Sequence, residues 1–176
     1  MKSYSTLSKL LHWGIALIVI LMLSFSFFLD DVPSAWKGQA YMIHKSFGLT
    51  VLCLMLIRIF WISVRGRPAL PAGIALWERV LARAVQGFLY VFLLIMPLSG
   101  WVLSMAEGRI PVYFGLFHMP LPFITANQLL GKQMDNVHKV VAWVIIGLLV
   151  FHVAGAIKNH IWLRNNVLRS MLWYRL

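Results

Sequence analysis

Four long apolar runs constrain this chain more than any other feature, because each fixes its own conformation. A bilayer core of about 30 Å is crossed by about 20 helical residues. Runs of that kind cover about Leu7 to Leu29, Tyr41 to Val64, Val80 to Met105 and Val137 to Leu163. Backbone N–H and C=O groups in lipid find no water to bond, so each run must be helical. Pro97 falls inside the third run and predicts a kink there. The expected fold class is all-α: a single four-helix transmembrane bundle over residues 1–176. The first run follows a basic start, MKSYSTLSK, but exceeds a typical signal-peptide core and no A-x-A-like site follows it. It reads as a retained span.

Charge sets the orientation. Sixteen Lys and Arg face five Asp and Glu, for a net charge of +11. The basic residues sit at the ends of apolar runs rather than across a polar face, which argues against nucleic-acid binding. An up-and-down path puts Lys2, Lys9, Arg58, Arg65, Arg67, Arg79, Arg83, Lys158, Arg164, Arg169 and Arg175 on one side, 11 in all, and only 5, Lys37, Lys45, Arg109, Lys132 and Lys139, on the other. The richer side is expected to be cytoplasmic, with both termini there. The longest loop, Glu107 to Asn136, then lies outside, and its FGLFHMPLPF stretch is apolar enough to lie on the membrane or cap the bundle. The single cysteine, Cys53, permits no internal disulfide and reads as a small core filler. Trp36, Trp61, Trp101 and Trp162 fall near span ends, as interfacial belts do.

The chemistry rests on histidine. Of six histidines, His12, His44, His138 and His152 fall within spans, where ionisable groups are costly and mark function. His138 and His152 are 14 positions apart. At about 100° and 1.5 Å per residue they leave one helix face about 21 Å apart along the axis. His12 begins a helix that starts inside, and His44 begins one that starts outside. Depth therefore pairs His12 with His152 and His44 with His138, at two levels of the bundle. Zinc or copper would want three or four ligands at one level. Two axial imidazoles and four porphyrin nitrogens complete an iron site, so the expected cofactors are two non-covalent haem b groups between facing helices.

Small residues beside the ligands, Gly14, Gly48 and Gly155, would let a porphyrin edge approach. Lys45 and Lys139 each follow a ligand and, with Arg58 on the inner side, are candidate contacts to haem propionates. His118 lies in the outer loop and reads as surface. His160, 8 positions past His152, falls about 12 Å further along the axis at the inner headgroup level, where it could hydrogen-bond a quinone. A non-redox transporter would place carboxylates within the spans, and these show none. Nothing in the sequence specifies an oligomeric state or a protein partner.

The pieces LHWGIA, MIHKSFG, NVHKVVAW and IIGLLVFHVAG, which carry His12, His44, His138 and His152, resemble the bacterial cytochrome b561 proteins, relatives of the b-type cytochrome subunits of nickel–iron hydrogenases. The resemblance covers essentially the whole chain. It implies a diheme electron carrier of the bacterial inner membrane that exchanges electrons with the ubiquinone pool, a membrane oxidoreductase if it has a substrate of its own. It also implies a candidate one-electron donor, superoxide, at the periplasmic side. Lys37, Lys45, Arg109, Lys132 and Lys139 could steer such an anion, although Asp30, Asp31, Glu107 and Asp135 nearly cancel them. The alternative is a haem-bearing membrane anchor that relays electrons for a peripheral dehydrogenase or hydrogenase.

Overall fold

A computed structural model of the chain describes residues 4–66, 73–165 and 167–173. Lys2, Arg67 and Arg175, counted above among the basic residues of one side, lie outside the described residues. Four helices carry the fold: α1 (Thr6–Ser26), α2 (Ser34–Arg65), α3 (Leu76–Ala106) and α4 (Gln128–Ile161). All four are long and apolar enough to cross a membrane.

The helices do not stop where the apolar runs stop. At 1.5 Å per residue the 34 residues of α4 span about 51 Å, well beyond a bilayer core. Its start is set by a cap: Asn127 accepts a hydrogen bond from the Leu130 amide at 3.0 Å. The helix therefore begins nine residues before the apolar run at Val137, and the expected loop from Glu107 to Asn136 shortens to residues 107–127. Likewise α2 starts at Ser34, directly after Pro33, rather than at Tyr41. Apolarity marks where lipid begins; capping and propensity mark where the helix begins.

Contacts at the ends give the path of the chain. The Tyr4 amide donates to the Ser170 carbonyl at 3.3 Å, so both ends of the described chain meet. Trp61, late in α2, donates to Ser5 Oγ at 3.0 Å, and Lys158, late in α4, pairs with Glu78, early in α3, at 2.7 Å. We call this the terminal end and the opposite one the hairpin end. Consecutive helices pack closely, α1 on α2, α2 on α3 and α3 on α4, whereas α4 stands further from α1 and α2. Across that wider gap lies one buried apolar layer: Ile15 and Val19 of α1, Val51 and Met55 of α2, Val141 and Ile145 of α4. Outward faces are apolar too, as lipid requires, with Leu17 60%, Phe60 67% and Phe151 64% exposed.

One expectation is corrected. Cys53 is exposed on the outer face of α2 instead of filling the core; an apolar run is apolar on every side, so sequence cannot tell its lipid face from its core face. The all-α class holds, and the loop after α3 adds one short hairpin. Residues Val112–Tyr113 (β1) pair antiparallel with Phe117–His118 (β2). The turn between them needs left-handed backbone, at Phe114 (φ 47°) and Gly115 (φ 76°), and glycine supplies the second at no steric cost. This hairpin lies against α2. Ser46, fully buried, accepts from the Phe114 amide at 2.8 Å and donates to the Met42 carbonyl at 2.7 Å, while Tyr113 and Thr50 share their hydroxyls at 3.1 Å. Irregular backbone near membrane depth is tolerated only when its polar groups are bonded within the protein. Ser46→Ala should therefore loosen the hairpin by about 1–3 kcal/mol, the cost of orphaning a buried amide. Faster proteolysis between Pro111 and Pro120, with the bundle intact, is the expected readout.

Of the four tryptophans near span ends, Trp36 and Trp162 are exposed. Trp101 tethers the loop after the hairpin by donating to the Met119 carbonyl at 2.9 Å.

Candidate functional site

The four intramembrane histidines meet in two pairs. His12 of α1 faces His152 of α4, with ring centroids 6.1 Å apart and planes inclined by 63°. His44 of α2 faces His138 of α4, at 6.3 Å and 67°. All four are half-buried. The first pair sits at the terminal end and the second toward the hairpin end. Ile145, 1% exposed, lies seven positions from each of the two α4 histidines, so the buried apolar layer separates the pairs.

Each pair has the dimensions of an axial set. Two metal–imidazole bonds of about 2 Å, plus about 1 Å from each nitrogen to its ring centre, put trans imidazole centroids about 6 Å apart. An edge-to-face aromatic contact falls in the same range, so the surroundings decide. Among the described residues no group of three or more His, Cys, Asp or Glu side chains converges to hold a metal ion. The protein thus offers two ligands per level and no third, which suits a metal whose remaining ligands come with a macrocycle. Around the His44–His138 pair lies a cavity of about 570 Å³, also lined by Lys45, Lys139, Gly48 and Gly100 and floored by Val19, Val51 and Ile145. That volume is ordinary for a cofactor site. His44 Nδ1 is buried there with no hydrogen-bond partner, a costly state for a polar atom with nothing to bind.

The ring of His138 is held by residues that the sequence did not single out. Ser99 donates its hydroxyl to the Met96 carbonyl at 2.8 Å, so its oxygen is left to accept from His138 Nδ1 at 3.0 Å. That bond assigns the proton to Nδ1 and leaves the Nε2 lone pair for a metal. Gly100 makes room for the ring: a Cβ there would lie 2.9 Å from His138 Cε1 and 3.3 Å from Nδ1. Both residues follow Pro97, buried within α3. The signal was the run PLSG inside a span, legible only once the facing ring is known.

The other predicted site residues divide. Lys45 and Lys139 both line the cavity, but Lys45 is half-buried with its ammonium 2.7 Å from Ser104 Oγ, and Lys139 is exposed and paired with Asp135 at 2.7 Å. Three cations, Lys45, Arg109 and Lys139, and three carboxylates, Asp30, Glu107 and Asp135, line the same cavity. Arg58 reaches the other pair: one guanidinium nitrogen lies 3.0 Å from His12 Nδ1, and its Nε donates to the Tyr90 hydroxyl at 2.8 Å. A Cβ on Gly14 or Gly155 would meet nothing within 4 Å, and one on Gly48 only the Met22 methyl at 3.9 Å. His118 is exposed on β2 and joins neither pair, and His160 is half-buried at the end of α4.

Comparison with known proteins places the chain in a family over nearly its whole length. The family described as Prokaryotic cytochrome b561 matches residues 3–174. Cytochrome b561 homolog 2 of Escherichia coli (strain K12) is 29% identical over 176 residues, covering 97% of this chain and 92% of the relative. Probable superoxide oxidase CybB of Yersinia pestis is 27% identical over 174 residues, 97% of this chain and 96% of the relative. Cytochrome b561 homolog 1 of Escherichia coli (strain K12) is 25% identical over 180 residues, 98% of both chains. With a family match over nearly its whole length and four helices fit to cross a membrane, this chain belongs to the prokaryotic cytochrome b561 family of bacterial membrane electron-transfer proteins.

Proposed function

We propose that the protein is a diheme b-type cytochrome of the bacterial inner membrane, carrying electrons from a donor at the hairpin end to ubiquinone. The observation that carries this reading is the pair of histidine pairs, at 6.1 and 6.3 Å, stacked at two levels of one bundle. His12 with His152 and His44 with His138 would hold one haem b each. Bound there, haem b supplies reversible one-electron chemistry at a potential that ligands, burial and hydrogen bonds tune.

The chain's own residues do the rest. Ser99 and Gly100 orient His138. The layer of Ile15, Val19, Val51, Met55, Val141 and Ile145 keeps water and ions out of the space between the levels. Basic residues gather at the terminal end, among them Lys9, Arg65, Arg79, Lys158 and Arg169, which supports a cytoplasmic location for both termini. The donor end is then periplasmic. Superoxide is the donor we favour, by likeness to the relative named a probable superoxide oxidase. The balanced charges of the cavity make local contact with Lys45 or Lys139, rather than long-range steering, the basis of its capture. Lys45 and Lys139 remain the candidate partners of haem propionates, whereas Arg58 lies against His12 and Tyr90. His160, half-buried at the terminal end, is the candidate quinone contact.

The test is a pyridine-haemochrome count on purified protein beside an oxidised-minus-reduced spectrum. Two haem b per chain is the expected result, and one or none would refute the diheme assignment. Superoxide-driven reduction of a ubiquinone analogue in proteoliposomes tests donor and acceptor together.

A further inference from the structure

The two histidine pairs are alike in residue type and unlike in electrostatics. At the terminal end the cation Arg58 touches His12 at 3.0 Å. Iron at Nε2 of His12 would leave Nδ1 protonated, and the arginine would then give up that contact. Its Nε bond to Tyr90 at 2.8 Å, and the Tyr90 ring centroid 5.6 Å from the guanidinium carbon, still tether the charge beside the pair. Among the described residues the ion pairs are Arg109–Glu107, Lys139–Asp135 and Lys158–Glu78, and Arg58 belongs to none of them. One helical turn before His12, Lys9 is a second buried cation, 8% exposed, its ammonium bonded at 2.8 Å to the Leu172 carbonyl rather than to an acid.

The hairpin-end pair lacks such an excess. Its cavity has as many carboxylates as cations, and Lys45 turns its ammonium to Ser104. Here His138 donates from Nδ1 to an oxygen, Ser99 Oγ, at 3.0 Å. The two environments act in opposite directions. A fixed cation close by, in a low-dielectric span, disfavours the more positive, oxidised state of an iron and raises its potential. An acceptor on Nδ1–H makes the imidazole more basic, favours the oxidised state and lowers the potential.

We propose that Arg58 makes the His12–His152 site the more oxidising of the two, so that electrons settle at the terminal end, while Ser99 holds the His44–His138 site lower. The inference rests on the two-haem reading above and adds a direction to it: thermodynamic fall runs from the hairpin end to the terminal end. Arg58 and Ser99 are positioning and tuning residues.

The experiment is a potentiometric titration of the haem α band in purified protein, with a haem count on every sample. Wild type is expected to show two midpoints. In Arg58→Gln the higher midpoint falls by at least a tenfold change in how an electron divides between the sites, about 59 mV for one electron. In Arg58→Lys, which keeps the charge, most of that fall is restored. In Ser99→Ala the lower midpoint rises and the higher stays. Should Arg58→Gln not retain haem, Tyr90→Phe, which removes the Nε tether, is expected to lower the same midpoint. With two haems counted, a shift of the lower midpoint in Arg58→Gln or Tyr90→Phe, or no shift at all, overturns the assignment of Arg58. A count below two in wild type refutes the diheme reading itself and the ordering with it.

Discussion

Alanine at His44 or at His138 is expected to halve the haem content of the purified protein, from two per chain to one, and alanine at His12 or His152 to do the same for the other site. In the proposed arrangement each site would draw both protein ligands from a single pair, at 6.3 and 6.1 Å, and no further His, Cys, Asp or Glu cluster stands by among the described residues to replace a lost imidazole. The double variant His44→Ala/His152→Ala touches both levels and should lose both haems. His118→Ala and His160→Ala are the controls, since neither side chain joins a pair; both should keep two haems. His160→Ala should instead raise the KM for the quinone. Quinone reduction should fall by orders of magnitude in any single ligand variant, because the proposed path runs through both sites in series. Pyridine-haemochrome counting settles the outcome: two haems retained in His44→Ala, or haem lost in His160→Ala, would require a different ligand set.

The second large effect is expected from the smallest change. Gly100→Ala adds one methyl, placed 2.9 Å from His138 Cε1 and 3.3 Å from Nδ1. Real Cβ contacts essentially never fall so close, so the ring must move. Moving it breaks the 3.0 Å bond to Ser99 that fixes its tautomer and orientation. Loss of an outer-shell partner of a metal-binding histidine costs about 10–100-fold in affinity, and we expect Gly100→Ala to lose haem at the His44–His138 site to that extent while the His12–His152 site stays loaded. Gly38→Ala, also within a helix (α2) but with nothing within 4 Å of the added methyl, is the control. It should be neutral or stabilising by about 0.5–1 kcal/mol, since alanine is the better helix former. Haem retained during gel filtration, measured against protein, separates the two; equal retention in both variants would show that His138 has slack.

These contrasts mark what kind of information the chain carries in one dimension. Span number, pairing partners and pairing depth were legible because helix geometry is regular: fourteen positions along α4 return to the same face, and starting ends fix depth. The start of α4 at Gln128 was not read from the run at Val137, because the cap on Asn127 is a local hydrogen bond and not a change in hydropathy. The placing of Cys53 in the core failed because lipid and core are equally apolar solvents for one helix face. Ser99 and Gly100 escaped notice for a related reason: a serine and a glycine in a span usually serve helix packing, and only the ring of His138 across from them gives them another role.

The sequence alone determined the quantities that follow from the solvent and from helical periodicity: four helices, and histidines in two pairs at two depths. Tertiary structure decided what depends on which side chain stands opposite which. Arg58 lies against His12, Ser99 against His138, and the hairpin against Ser46. The physical reason is range. Hydropathy and helical phase act along the chain and can be summed residue by residue, whereas a hydrogen bond or a steric gap is decided within a few ångströms between residues 39 to 68 positions apart.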